Sequence, residues 1–207
     1  WRQLGNEGWS YDDVLPYFKK LEDFQPGGED GFHGRGGPVM VTRPGITHPL
    51  AKAFRDAALA AGVPYNDDPS GSQREGVVPA DVTASAGRRW SAARAYLKPA
   101  RGRPNLRIVT EANVERVIVE NGRATGVAWR RGGKAEQASA TREVIVSAGA
   151  IHSPWILMLS GIGDGDHLRE MGVPVVHNLP GVGQNYRDHV AISVKQACTQ
   201  PVSLFNV

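Results

Sequence analysis

Four small residues, Ser147-Ala148-Gly149-Ala150, separate an apolar segment from a predicted helix. The run Val144–Val146 is typical of a strand buried on both faces. The helix is predicted over 153–160, with Ser153 as its N-cap and Pro154 in its first turn. Small residues at such a junction let a ligand come close to the backbone, and ligands bind at this edge of open α/β sheets. A tight connection that needs small residues only for packing gives the same pattern.

Histidines and one carboxylate pair are the other residues that could do chemistry. His189 follows Asp188, but geometry rather than adjacency defines a base, so a structural loop is the preferred interpretation. Asp67-Asp68 lies in a Pro/Ser/Gly loop, which predicts a solvated turn. No two histidines have the i, i+4 spacing of metal ligands on a helix. The remaining histidines fall in a Gly-rich loop, at helix starts, in a helix or in a strand: His33, His48, His152, His167 and His177.

Composition excludes several classes of protein. The 207 residues carry a net charge of +3 without a long basic stripe, which argues against nucleic-acid binding. The single cysteine, Cys198, excludes an internal disulfide and a thiolate zinc site. No apolar run reaches the roughly 20 residues of a membrane span, and no signal peptide is evident. We therefore expect a cytoplasmic location, with peripheral membrane association left open. Because the first residue is Trp1, we expect the chain to be part of a longer polypeptide.

The first half of the chain combines helices with loops. A helix is predicted over 10–22, capped by Ser10 and bent at Pro16. A second is predicted over 48–61, capped by Thr47. Its predicted buried stripe consists of Leu50, Phe54, Ala57 and Ala61. The segments 38–44 and 76–83 are predicted as strands, 25–38 as a Gly-rich loop, and 90–97 as a short helix capped near Ser91.

The second half alternates strands with helices, which favours an α/β domain. Asn121-Gly122 is typical of a hairpin turn between two strands. A short helix is predicted to end at Gly172. The predicted strands are 106–110, 114–120, 124–131, 142–149, 173–179 and 190–196.

Residues 149–163, GAIHSPWILMLSGIG, combine a small residue, Ser-Pro, two aliphatic residues and Ser-Gly-aliphatic-Gly at fixed spacing. This stretch closely resembles the second signature of the glucose-methanol-choline (GMC) oxidoreductases, which are FAD-dependent alcohol oxidases and dehydrogenases. The resemblance extends over nearly the whole chain. Further matching segments are Leu4-Gly5-Asn6, Gly8-Trp9-Ser10, Asp13–Phe18, Phe32-His33-Gly34, Gly87-Arg88-Arg89, Ser91-Ala92, Tyr96-Leu97, Pro180–Asn185 and Asp188-His189.

The resemblance implies an α/β fold of mixed α+β character. It comprises part of a Rossmann-like FAD-binding domain and part of an antiparallel-sheet substrate domain. The implied boundaries are 1–36 for an N-terminal helix and Gly-rich loop, 37–100 for part of the substrate domain, 101–187 for the FAD-domain portion, and 188–207 for the start of a substrate-domain strand.

The resemblance also implies site residues. Val114 would hold the adenine of FAD through its backbone, and Ser147-Ala148-Gly149-Ala150 would lie close to the flavin. A half-buried strand residue without a ligand is the alternative for Val114. The dinucleotide fingerprint G-x-G-x-x-G is absent between a strand and a helix. In the family, that fingerprint lies upstream of this region, and the catalytic pair, a histidine with a second histidine or an asparagine, lies downstream. We therefore expect no catalytic residue and no metal ligand in this chain.

The function implied is oxidation of a primary alcohol, choline-like or otherwise, to an aldehyde by hydride transfer to FAD. The electron acceptor would be oxygen or a membrane quinone. Two alternatives stay open at this point. A hydroxynitrile lyase of the same family would keep the flavin without redox use. A short non-catalytic module would account for the missing motifs if the chain were complete.

Overall fold

Contacts between residues divide the chain into two compact units in this computed structural model, which describes residues 1–195 and 197–202. Unit 1 comprises Trp1–Leu106 and the residues from Lys195 onward, and unit 2 comprises Arg107–Val194. The predicted strand 190–196 is not formed over 190–195, and its last residue lies outside the described residues, as do residues 203–207 of the predicted 188–207 segment. The assignment of these units to an FAD-binding and a substrate domain stays a prediction.

Unit 1 begins with a 3₁₀ turn, Arg2–Leu4, and helix α1, Tyr11–Leu21. Ser10 caps α1 as predicted: its Oγ accepts a hydrogen bond from the Asp13 amide, and the Asp13 carboxylate accepts one from the Ser10 amide. The helix continues through Pro16 without a break, and the predicted bend there stays a prediction. Proline removes one amide donor, which the remaining bonds of α1 tolerate.

Strands β1, Glu22–Phe24, and β2, Val39–Val41, pair in parallel after α1. Helix α2, Pro49–Ala60, follows. Its N-cap is His48 rather than the predicted Thr47, because the His48 ring accepts a hydrogen bond from the Leu50 amide. The predicted buried stripe is also wrong: α2 has no buried residue, and Phe54 is 72% exposed. Among the described residues, no element covers this face.

A small hairpin and a helical turn complete unit 1. Strands β3, Ala84–Ser85, and β4, Arg88–Arg89, pair antiparallel. The predicted helix 90–97 is instead a π-helical turn, Ala93–Leu97, continued by α3, Lys98–Ala100. The predicted strand 76–83 is reduced to isolated bridges at Val77 and Val82, since Pro79 between them cannot donate to a ladder.

The three-stranded antiparallel sheet of unit 2 runs in the order β5-β6-β7, with β5 at one edge. Its strands are Asn113–Glu120, Arg123–Arg131 and Lys134–Ser139. Asn121 and Gly122 both have positive φ and form the predicted hairpin turn. Strand β7 was missed, because its sequence KAEQAS contains no β-branched or aromatic residue.

Helix α4, Gly149–Leu159, starts four residues earlier than predicted and includes Pro154. The strand predicted over 142–149 is not formed, and Ile145 in its centre is 76% exposed. A strand exists only where a neighbour completes its hydrogen bonds, and none of the described residues supplies one here. The predicted strand 106–110 is absent for the same reason.

The remaining elements of unit 2 are short. Strand β8, Ile162–Gly163, precedes α5, Gly165–Glu170, and β9, His177–Asn178, which is all that forms of the predicted strand 173–179. Strands β8 and β9 pair in parallel. The predicted helix end at Gly172 is confirmed by its positive φ.

The buried apolar side chains are Phe24 and Ala95 in unit 1 and Val117, Ala128, Trp129, Ile156 and Leu168 in unit 2. The predicted mixed class of helices and strands is confirmed.

Candidate flavin site

The turn Ser147–Ala150, whose last two residues begin helix α4, is open to solvent along its whole length. Gly149 has φ +86°, and a Cβ built on it would meet no atom within 4 Å. The hydroxyl of Ser153 accepts a hydrogen bond of 3.0 Å from the Ala148 amide, which fixes the turn against the first residues of α4. This left-handed conformation strongly favours glycine. The turn is therefore a defined backbone shape with free space beside it, and its contact with a ligand stays a prediction.

The first turns of α4 contain polar backbone groups without helical partners. No side chain caps the helix at its N-cap, Ala148, so the first amides have no side-chain acceptor there. Pro154 has no amide hydrogen, so the carbonyl of Ala150 lacks its usual partner four residues on. The start of an 11-residue helix carries a partial positive charge. These groups suit an anionic or hydrogen-bonding ligand.

Val114 lies on β5, at the edge of the sheet opposite β7. It is half-buried and pairs with Trp129 of β6. The register shifts between Val114 and Arg116, so that Glu115 forms a bulge. An edge strand offers backbone amide and carbonyl groups that no neighbouring strand uses. This placement fits the role that the resemblance implies for Val114, which stays a prediction.

The Ser160 hydroxyl joins β5 to the end of α4. The Ser160 Oγ accepts a hydrogen bond of 2.8 Å from the Val117 amide and donates one of 2.6 Å to the Ile156 carbonyl. Ser160 is only 7% exposed. Sequence reasoning missed this residue as a functional candidate, although it stands inside the signature.

Gly161, the residue after Ser160, links the end of α4 to the segment that leads into β9. Its φ is +79°, and a Cβ would lie 2.4 Å from the Pro174 carbonyl oxygen. The amides of Val176 and His177 both donate to the Gly161 carbonyl. The second half of the signature thus connects α4, β5 and β9, whereas its first residues form the open turn. The turn and Val114 both belong to unit 2, and α4 contacts β5.

His33 is enclosed between two carboxylates in unit 1. Its Nδ1 lies 3.2 Å from Glu22 Oε2 and its Nε2 lies 2.8 Å from Asp68 Oδ1. The ring is 4% exposed and stacks on Phe24 with centroids 3.7 Å apart. The predicted solvated turn is therefore wrong for Asp68, whose side chain is largely buried against His33, although Asp67 is exposed.

Hydrogen bonds to the Asp68 carboxylate stabilise its charged form. Burial of the carboxyl group works to raise its pKa, but the hydrogen bonds from His33 and from the Glu29 amide outweigh that effect. The pKa of Asp68 consequently lies below its ordinary value. Because both ring nitrogens of His33 face carboxylate oxygens, this histidine ties β1 to the turn at Asp68 and is not placed to act on a substrate.

The other histidines do not assemble with one another. His48 caps α2, and His189 is exposed beside Asp188. Within residues 1–195 and 197–202, no group of three or more His, Cys, Asp or Glu side chains could hold a metal ion. No helix in the described part of the chain is long and apolar enough to cross a membrane.

Known proteins resemble this chain in sequence. It is 50% identical over 206 residues to an oxygen-dependent choline dehydrogenase of Rhizobium etli, covering 100% of this chain and 37% of that protein. It is 48% identical to a mitochondrial choline dehydrogenase of Mus musculus, covering 99% of this chain and 34% of that protein. The chain therefore spans little more than a third of the length of these relatives.

Solved structures resemble it in fold. A pyridoxine 4-oxidase from Mesorbium loti matches with a TM-score of 0.77 and 36% identity, covering 85% of this chain and 35% of that one. An FAD-dependent oxidoreductase from Chaetomium thermophilum matches with a TM-score of 0.82 and 33% identity, covering 89% and 34%. The family model of the GMC oxidoreductases matches residues 1–191, and with these relatives it establishes that the chain belongs to the GMC oxidoreductase family.

Proposed function

We propose that this chain forms part of an FAD-dependent enzyme that oxidises a primary alcohol to an aldehyde, with choline or a choline-like alcohol as substrate. The observation that carries the proposal is the open turn Ser147–Ala150, whose left-handed Gly149 leaves free space beside the backbone. The choline dehydrogenases among the relatives support the substrate class.

FAD is the cofactor of this family, and the residues present fit it. Bound FAD would accept the hydride that leaves the alcohol carbon. The backbone of Val114 would hold the adenine at the edge of β5. The turn Ser147–Ala150 would lie against the flavin, where small side chains permit close approach. The uncapped start of α4 would favour negative charge on the cofactor.

Positioning of the cofactor is the role we give to this chain, and we assign no catalytic base to it. Both ring nitrogens of His33 are occupied by carboxylates, and His189 is exposed in a loop. A base must lie within hydrogen-bonding reach of the alcohol proton. Either oxygen or a quinone would reoxidise the flavin, and the relatives named as oxygen-dependent support oxygen.

The test is to express the complete polypeptide that carries this chain and record its absorption spectrum. We expect a flavin spectrum that bleaches when choline is added without oxygen and returns when air is admitted. A bound flavin that no alcohol bleaches would contradict the redox assignment and favour a lyase that uses the fold without redox. A folded protein without flavin would favour the non-catalytic alternative.

A further inference from the structure

We propose that Ser160 is a positioning residue of the flavin site, one that sets the backbone of Val114 relative to the turn Ser147–Ala150. This inference rests on the proposed function. It concerns a residue that would touch neither the flavin nor the alcohol, and that would act through the two elements it joins.

The hydroxyl of Ser160 makes one donated and one accepted hydrogen bond. Its single hydrogen goes to the Ile156 carbonyl at 2.6 Å, and its oxygen accepts the Val117 amide at 2.8 Å. Val117 is itself 6% exposed. Removing the hydroxyl would leave a buried amide without an acceptor, which is costly. The bond between β5 and α4 is therefore specific to this side chain.

Stiff elements carry the effect from Ser160 to both parts of the site. Helix α4 runs without interruption from Gly149 to Leu159, directly before Ser160. Val117 stands three residues after Val114 on β5, and the bulge between them is fixed by pairs with β6 on both sides, at Val114 and Arg116. A connection between the end of α4 and the middle of β5 thus limits the movement of Gly149 and Val114 relative to each other.

FAD would span both parts of the site, whereas AMP and riboflavin would each reach one. A ligand that joins two subsites gains affinity from their fixed separation, and its separate halves do not. Loosening the connection at Ser160 should therefore weaken the binding of FAD far more than the binding of AMP or of riboflavin. A general loss of structure would weaken the binding of all three ligands to a similar extent.

The test compares Ser160→Ala with the wild type in the complete polypeptide, prepared without flavin and titrated with FAD, AMP and riboflavin. We expect the Kd for FAD to rise about tenfold or more, with changes of about twofold or less for AMP and riboflavin. An unchanged Kd for FAD, or equal losses for all three ligands, would overturn the proposal. So would a wild-type protein that binds no FAD, a result that also defeats the proposed function.

Hydrogen exchange gives a readout that does not depend on flavin. The Val117 amide should exchange faster in Ser160→Ala, because its acceptor is gone. Unchanged exchange at Val117 would show that the hydroxyl does not hold β5, and the inference would fail while the proposed function stood.

Two further variants control for stability. Ser160→Cys keeps the size and a weak acceptor, so it should give an intermediate Kd for FAD, and it carries the test if Ser160→Ala does not fold. Leu168→Val removes volume from a side chain that is 1% exposed in α5, outside the connection. It should lower stability and leave the ratio of FAD to AMP affinity unchanged. A changed ratio in Leu168→Val would mean that Ser160 has no special role.

Discussion

Gly149 is the residue whose backbone defines the open turn. We expect Gly149→Leu to abolish flavin retention, for two reasons. A left-handed conformation costs a residue with a side chain about 1–2 kcal/mol. The leucine side chain would also occupy the free space beside the turn. The ratio of flavin absorbance to protein absorbance after purification measures the effect.

Gly172 provides the matched control for this substitution. Its φ is +71°, and a Cβ there would also meet no atom within 4 Å. Gly172→Leu therefore imposes similar backbone strain in the same unit, at the end of α5. We expect it to keep its flavin. Normal flavin content in a folded Gly149→Leu protein would remove the turn from the cofactor site.

At the scale of elements, Trp129 lies on β6, the central strand of the β5–β7 sheet, and its indole N–H is the group of interest. Its indole Nε1 is buried and has no hydrogen-bond partner among the described residues. We expect Trp129→Phe to change the free energy of unfolding by less than about 1 kcal/mol, since losing an unsatisfied donor offsets the lost area. Trp129→Ala should cost about 3–5 kcal/mol. Urea unfolding measures both, and a cost of Trp129→Phe well above about 1 kcal/mol would contradict the release of an unsatisfied donor.

The elements also show how far the sequence could predict the fold. Ser10 and the Asn121-Gly122 turn were predicted correctly because their hydrogen bonds are local. The strand at 142–149 and the buried stripe of α2 were wrong because each needs a partner from elsewhere. Of the candidate site, the exposed turn was predictable from its small residues, but the start of α4 at Gly149 was not. The role of Ser160 was not, since its acceptor bond joins residues 43 positions apart.

At the scale of the whole molecule, acid should destabilise unit 1 through the contact between Asp68 and His33. The pKa of Asp68 is lowered in the folded state. Asp68 therefore contributes stability that is fully present above its ordinary pKa of about 3.9, and that is lost as the pH falls through the lower folded value. We expect Asp68→Asn to be less stable at neutral pH and to show a flatter acid dependence. Urea unfolding of the chain at a series of pH values measures this.

Asp67 is the control for that experiment, because it is exposed and adjacent. Asp67→Asn should keep the acid dependence of the wild type. The same pH profile for Asp67→Asn and Asp68→Asn would mean that the contact with His33 contributes nothing measurable. The pKa values of Asp13 and Glu29 are also lowered by hydrogen bonds to serines. These two groups therefore make stability fall with acid in all variants alike.

The φ of +86° at Gly149 has a consequence for chirality. A D-amino acid prefers the positive φ that L-amino acids avoid, since it is their mirror image. D-alanine introduced in place of Gly149 by chemical ligation would therefore keep the turn, and would restrict the unfolded chain more than glycine does. At a left-handed position of this kind, a residue of opposite handedness suits the backbone better than any of the natural L-residues.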